Sequence, residues 1–175
     1  SKLLKDYLNT EKNIILIPCG YGGTGFIDNR WNKGNDLYND AVYRVKTLIQ
    51  RYPGSKLVSI LWHQGETDVI YRNSSYQNDL DNFIVNLRND LNAFDVPFIL
   101  GGMVPFWVDE FKERQQQQKI ISNTINRHNF IGYANPEFPF RIEKEDNLYD
   151  KIHFDADGQR ELGKRYFKEY LRLID

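Results

Sequence analysis

Two kinds of hydrophobic pattern alternate along the chain. Short apolar runs predict buried strands at 13–18, 57–62, 96–102 and 129–134. Apolar residues three or four positions apart predict helices at about 2–9, 36–52, 75–94, 109–128 and 156–174. Strands that alternate with helices are typical of a parallel sheet covered on both faces. We therefore expect one α/β domain over residues 1–175, built as a three-layer α/β/α sandwich with a mainly parallel sheet.

Two details refine the predicted helices. Asp155 or Asp157 is placed to cap the last helix, because a carboxylate at a helix start accepts hydrogen bonds from free backbone N–H groups. The glutamine run 115–118 is interpreted as the solvent-facing side of its helix rather than as a low-complexity segment.

Composition narrows the possible functions. The 175 residues are 41% hydrophobic, which is enough for a core. The net charge is -1 and the basic residues are not clustered, so we expect no nucleic-acid partner. No apolar run approaches the roughly 20 residues of a membrane span, so we expect no membrane partner. The single cysteine, Cys19, excludes an intrachain disulfide.

The most concentrated polar motif is WHQGETD at 62–68, directly after the predicted strand 57–62. Ligands of open α/β sheets bind at the carboxyl ends of strands. An imidazole, an amide and two carboxylates therefore stand where a site is expected. The structural alternative is an ordinary turn rich in Gly and Asp.

A glycine-rich string, GYGGTG at 20–25, follows the first predicted strand. Its spacing matches the dinucleotide-binding fingerprint, whose glycines must open a helix. Residues 26–34 have no helical periodicity, so we do not expect a nucleotide. Exposed backbone N–H groups at these glycines are suited to an anion. A tight turn is the alternative.

Near the C-terminus, Asp150 and His153 are three residues apart, before the last helix. On one turn such a carboxylate can hold the imidazole in one tautomer and raise the basicity of the other ring nitrogen, as a general base for a serine requires. A capping or surface ion pair is the simpler interpretation.

These blocks in this order resemble the sialate O-acetylesterase and acetylxylan esterase branch of the SGNH hydrolases, which have a flavodoxin-like fold. The resemblance spans about residues 13–165 and is most specific at 62–68. It implies a serine esterase that removes acetyl groups from sugars, with an acetylated carbohydrate as its partner. It implies no cofactor and no metal, since His63 and Glu66 lack a third ligand at a recognisable spacing.

The resemblance also implies roles for individual residues. His153 is expected to be the general base and Asp150 its orienting partner. Gln64 and the backbone N–H of Gly23 are expected to form the oxyanion hole, which stabilises charge on the ester oxygen. The residues expected to contact substrate are Gly22, Trp62 and His63.

One part of the family pattern is missing. The nucleophilic serine of this family follows the first, central strand, and no such block occurs in the sequence. We therefore expect the central strand and the serine to come from an N-terminal fragment, and we expect this chain alone to be inactive. One alternative is a non-catalytic carbohydrate-binding or structural module with the same fold. A second is an esterase acting on lipid or another acyl ester.

Overall fold

A parallel sheet of three strands forms the centre of the protein. The computed structural model describes residues 2–8, 11, 13–144 and 150–175. The strands are β1 (Ile60–Trp62), β2 (Phe98–Gly101) and β3 (Ile131–Ala134), paired in that order. Helices flank the sheet, so the predicted α/β fold with a parallel sheet is confirmed.

The described part of the chain holds seven α-helices. They are α1 (Lys2–Leu8), α2 (Asp36–Arg51), α3 (Glu66–Ile70), α4 (Tyr76–Leu91), α5 (Pro105–Asp109), α6 (Lys112–Ser122) and α7 (Ala156–Ile174). Helix α7 has the predicted bounds, and Asp155 caps it by accepting a hydrogen bond from the Gly158 N–H at 2.7 Å. None of the described helices has the length and apolar character needed to cross a membrane.

Aromatic rings and glycines set the close packing of the layers. On one face, the Phe83 ring of α4 lies 4.4 Å from the Trp62 ring of β1 and 6.3 Å from the Phe98 ring of β2. On the other face, a Cβ on Gly101 would overlap the Tyr166 hydroxyl of α7. Glycine in β2 therefore lets α7 approach the sheet.

The predicted buried strand at 13–18 is wrong. The segment belongs to no strand, and Leu16 is 67% exposed. The sheet of the described residues ends at β1, so the segment has no strand to pair with. An apolar run becomes a buried strand only where a neighbouring strand and a covering layer are present.

The predicted solvent-facing glutamine run is wrong at two positions. Gln117 and Gln118 are buried. The Gln118 side chain accepts a hydrogen bond from the Met103 N–H at 3.0 Å and donates to the Tyr133 hydroxyl at 2.9 Å. Gln117 donates to the Gly65 carbonyl at 3.3 Å. These amides satisfy buried backbone groups around the end of β2 and the motif that follows β1.

Candidate active site

The 62–68 motif lies at the carboxyl end of β1, as its position in the sequence predicts. His63 and Gln64 follow the strand, and α3 begins at Glu66. Between them Gly65 has φ +157°, a conformation that favours glycine, and a Cβ there would lie 2.9 Å from the Ile121 Cδ1, so that side chain would have to move. The strand-to-helix connection is therefore short and closely packed.

Asp68 joins this motif to the glycine-rich loop. Its side chain is completely buried. Its carboxylate accepts hydrogen bonds from the backbone N–H groups of Phe26 at 3.0 Å and Ile27 at 2.9 Å. It also accepts from the Asn73 side chain at 2.7 Å and from the Gln64 amide. A buried carboxylate with this many donors is structurally satisfied and holds two loops together.

The Gln64 amide is buried and oriented by Asp68. Its Nε2 donates to Asp68 and lies 3.5 Å from the Thr24 carbonyl, while its Oε1 has no partner among the described residues. The Tyr76 hydroxyl donates to the Gln64 backbone carbonyl at 3.0 Å. One amide hydrogen is thus committed to Asp68. The second makes only the long Thr24 contact, which is weak enough to be exchanged for an oxyanion.

The glycine-rich loop presents bare backbone. Gly22 and Gly23 are exposed, and a Cβ on either would meet no described atom within 4 Å. Gly23 has φ +71°, a conformation that favours glycine. No helix opens after these glycines before Asp36, so the loop lacks the helix that a dinucleotide pyrophosphate requires.

Asp150 and His153 form the hydrogen bond that their spacing predicts. The His153 Nδ1 lies 2.8 Å from the Asp150 Oδ2, and the Asp150 Oδ1 accepts from the Ile152 and His153 N–H groups at 3.0 Å each. A carboxylate beside Nδ1 favours the tautomer with the proton on Nδ1, which leaves Nε2 free to accept a proton. The His153 side chain is 73% exposed. The arrangement therefore leaves Nε2 as an exposed proton acceptor.

The Lys144 side chain holds the backbone of the Asp150–His153 turn by hydrogen bonds. The sequence did not suggest this contact. Its ammonium donates to the Asp150 carbonyl, and to the His153 carbonyl at 2.8 Å. The lysine side chain is almost fully buried. Residues 145–149, part of the predicted irregular stretch, lie outside the described residues.

The Asp150–His153 turn lies next to the 62–68 motif. The His63 ring is 6.0 Å from the Phe154 ring, and its Nε2 is 3.5 Å from the Glu66 carboxylate. Burial alone would raise the pKa of Glu66. The hydrogen bond and charge of His63, a backbone hydrogen bond at Glu66 and, last, the charge of His153 together outweigh burial and lower that pKa. The fold thus brings His63, Glu66 and His153 into one electrostatic environment.

Trp62 lies in the core. Its buried ring packs against those of Phe83 at 4.4 Å, Trp31 at 5.0 Å and Phe26 at 5.8 Å. Its expected contact with substrate stays a prediction, because the described structure gives the ring only core neighbours.

Elsewhere at the site, no hydroxyl of the described residues is hydrogen-bonded to His153. In the same residues no three potential metal ligands of the His, Cys, Asp and Glu types come together.

The Asp150 carboxyl gives a prediction about pH. Hydrogen bonds from the His153 backbone and side chain lower the pKa of Asp150 to about 2. Because the pKa of Asp150 is lowered in the folded protein, its ionised carboxylate stabilises the turn fully at pH values above the ordinary pKa of aspartate. This stabilisation is lost as the pH falls toward 2. We expect carbon-detected NMR to give an Asp150 midpoint near 2. A midpoint near 4 would mean that the turn is not held by this carboxylate.

Comparison with known proteins places the chain in a family. A family model described as carbohydrate esterase, sialic acid-specific acetylesterase (SASA), matches residues 1–172. The chain is 32% identical to the probable carbohydrate esterase At4g34215 of Arabidopsis thaliana over 173 residues, 96% of the chain and 60% of that protein. It is 22% identical to a probable 9-O-acetyl-N-acetylneuraminic acid deacetylase of Escherichia coli K12, over 71% of the chain and 48% of that protein.

A solved structure has the same fold. The crystal structure of the Arabidopsis thaliana protein AT4G34215 superposes with a TM-score of 0.73 at 30% sequence identity. The match covers 97% of this chain and 65% of the crystallised chain. The chain therefore spans about half to two thirds of the length of these relatives.

Proposed function

Because the chain belongs to the SASA family of carbohydrate esterases, we propose that it acts as a serine esterase that removes acetyl groups from an acetylated carbohydrate. The observation that carries the proposal is the hydrogen bond between His153 Nδ1 and Asp150, next to the motif at the end of β1. A sialic acid or xylan is the proposed substrate class. The two relatives, one named a carbohydrate esterase and the other a sialic acid deacetylase, support this choice.

The proposed reaction uses each residue at one step. A serine Oγ attacks the acetyl carbonyl while His153 Nε2 takes the hydroxyl proton. The second Gln64 amide hydrogen and the Gly23 N–H donate to the oxyanion. When the C–O bond to the sugar breaks, His153 returns its proton to the sugar oxygen. Water then attacks the acetyl-enzyme by the same route, which releases acetate and restores the serine.

The nucleophile is proposed to come from an N-terminal fragment outside these 175 residues. Two observations support this. His153 is highly exposed, and no described hydroxyl is bonded to it. The open space over Gly22 and Gly23 leaves room for a further segment beside the oxyanion donors. By this proposal the chain alone is inactive and works together with its fragment.

The competing function is a non-catalytic carbohydrate-binding module. The orientation of Gln64 toward Asp68 favours it, because that amide is then a structural group. A fluorophosphonate probe, which reacts only with activated serines, separates the two. We would treat the protein as isolated from its source with the probe and measure acetate release from acetylated xylan and from 9-O-acetylated sialic acid.

The esterase proposal expects acetate release that stops when one serine is labelled, and peptide mapping should place that serine outside residues 1–175. A label on Ser59, Ser74 or Ser122 would contradict the external nucleophile. Binding of the sugars with neither labelling nor acetate release would establish the module instead.

A further inference from the structure

A polar pocket of about 330 Å³ lies between α6 and the carboxyl end of β3. This volume is within the range of binding sites for small molecules. The three strands are parallel, so the pocket and the 62–68 motif lie at the same edge of the sheet, where parallel sheets bind ligands. Five uncharged polar side chains line the pocket, those of Gln115, Gln118, Ser122, Tyr133 and Asn135.

Two hydrogen-bond donors in the pocket have no acceptor among the described residues. The Tyr133 hydroxyl oxygen accepts a hydrogen bond from the Gln118 Nε2 at 2.9 Å, so its own hydrogen points elsewhere. Burial raises the pKa of Tyr133, which keeps this hydrogen in place. The Asn135 Oδ1 accepts from the Glu137 N–H at 2.9 Å, and its Nδ2 donates to no described group. Both donors are therefore available to a ligand.

The charges around the pocket favour a neutral ligand. Two carboxylates line it, Asp109 and Glu137, and Arg141 is paired with both, at 2.5 Å and 3.5 Å. Lys119 is the lining cation, so the pocket has no excess positive charge. An acidic sugar would place its carboxylate beside Asp109 and Glu137, and like charges repel. A neutral sugar presents hydroxyls that both donate and accept, which suits amides, carboxylates and a phenol.

The junction between α5 and α6 connects the pocket to the Asp150–His153 turn. Asp109 lines the pocket, and the next residue, Glu110, accepts a hydrogen bond from the Lys151 Nζ at 3.1 Å. Lys151 belongs to the turn. The Arg114 side chain donates to the other Glu110 oxygen at 2.6 Å and fixes the junction. The pocket and the proposed base are therefore neighbouring parts of one surface, which a single oligosaccharide can contact.

We propose that this pocket is a subsite for one neutral sugar unit of a polysaccharide whose acetylated unit lies at His153. Tyr133 and Asn135 donate to hydroxyls of the bound sugar, and the Gln115 Oε1, which has no described partner, accepts from one. The substrate is then an acetylated polymer such as xylan rather than a single sialic acid. The position of the acetylated unit rests on the proposed function, whereas sugar binding in the pocket does not.

Calorimetric titration with unacetylated xylotetraose tests the subsite without any catalysis. We expect the protein as isolated from its source to bind this oligosaccharide. Tyr133→Phe and Gln115→Ala should each weaken binding about three- to tenfold, because each removes one hydrogen bond to the sugar. If Tyr133→Phe does not fold, Gln115→Ala decides, because Gln115 is exposed.

Gln116→Ala is the matched control for the titration. Gln116 is the next residue of α6, is exposed and does not line the pocket. Its substitution should leave the affinity for xylotetraose unchanged. Absence of binding by the unmodified protein, or equal weakening in Gln115→Ala and Gln116→Ala, would overturn the proposal.

Ester substrates of two sizes separate a subsite from general damage to the enzyme. Acetylated xylotetraose extends from His153 toward the pocket, whereas 4-nitrophenyl acetate is too short to do so. We expect Gln115→Ala to lower the ratio of kcat/KM for the oligosaccharide to that for the small ester by about three- to tenfold, through KM. An unchanged ratio refutes the subsite alone. Xylotetraose binding that weakens in Gln115→Ala, without acetate release from either ester, refutes the proposed esterase alone.

Discussion

In the protein as isolated from its source, we expect His153→Ala to lower kcat/KM for acetyl esters by on the order of a thousandfold or more. The Asp150 carboxylate holds the His153 Nδ1 at 2.8 Å, which leaves the exposed Nε2 to take the proton of a nucleophile at this edge of the sheet. Alanine leaves Asp150 without a base to orient. The highly exposed ring contributes little packing, so the unfolding midpoint should stay unchanged. Ester hydrolysis and urea unfolding of the same preparations measure the two effects.

His128→Ala is the matched control for this prediction. Its Nε2 is also paired with a carboxylate, Asp81, at 2.9 Å. It lies before β3, at the opposite end of the sheet from the site. We expect this variant to keep its activity within a few-fold. Full activity in His153→Ala, or an equal loss in both variants, would remove His153 from the role of base.

The elements that the sequence predicted well are those whose pattern is local. The bounds of α7 follow from helical spacing and from Asp155, because a cap and a periodic face lie within one segment. The predicted strand at 57–62 is present but shortens to Ile60–Trp62. The ends of strands depend on where the partner strand stops, and the partner is distant in sequence.

Two predictions failed because they depended on neighbours that the sequence does not specify. Residues 13–18 have the composition of a buried strand, but their burial requires a pairing strand that the described residues do not supply. Gln117 and Gln118 look like a solvated helix face. They are buried because the carbonyl of Gly65 and the N–H of Met103 need partners there.

The site shows the same division between local and distant contacts. Asp150 and His153 are three residues apart, so their hydrogen bond could be predicted from one turn. The Lys144 contacts join residues six and nine positions apart, which is farther than one turn reaches. The orientation of Gln64 is set by Asp68, whose other partners, Phe26 and Ile27, lie about 40 residues earlier. A residue's role in a motif follows from its type only when its partners are nearby in sequence.

Asp68→Ala is expected to have the largest effect on stability, on the order of 3 kcal/mol or more in the free energy of unfolding. The substitution removes the acceptor of the buried Phe26 and Gln64 donors and of the partly buried Ile27 and Asn73 donors, of which Asn73 keeps a second acceptor in Asp79. Each unpaired buried donor costs about 1–3 kcal/mol, and relaxation and entering water keep the total below the sum. Urea unfolding followed by tryptophan fluorescence measures this loss.

The same substitution should lower kcat more than it raises KM, because Asp68 connects Gln64 to the loop that carries Gly23 and so fixes both proposed oxyanion donors. Asp28→Ala is the control. Asp28 is an exposed carboxylate in the same loop that accepts from the Arg30 N–H at 3.1 Å and from the Gly25 N–H at 3.4 Å, and its loss should cost no more than about 1 kcal/mol. If the two variants unfold at the same urea concentration, Asp68 does not hold the loops together. If Asp68→Ala is destabilised but keeps its kcat, the buried carboxylate supports the fold without positioning the oxyanion hole.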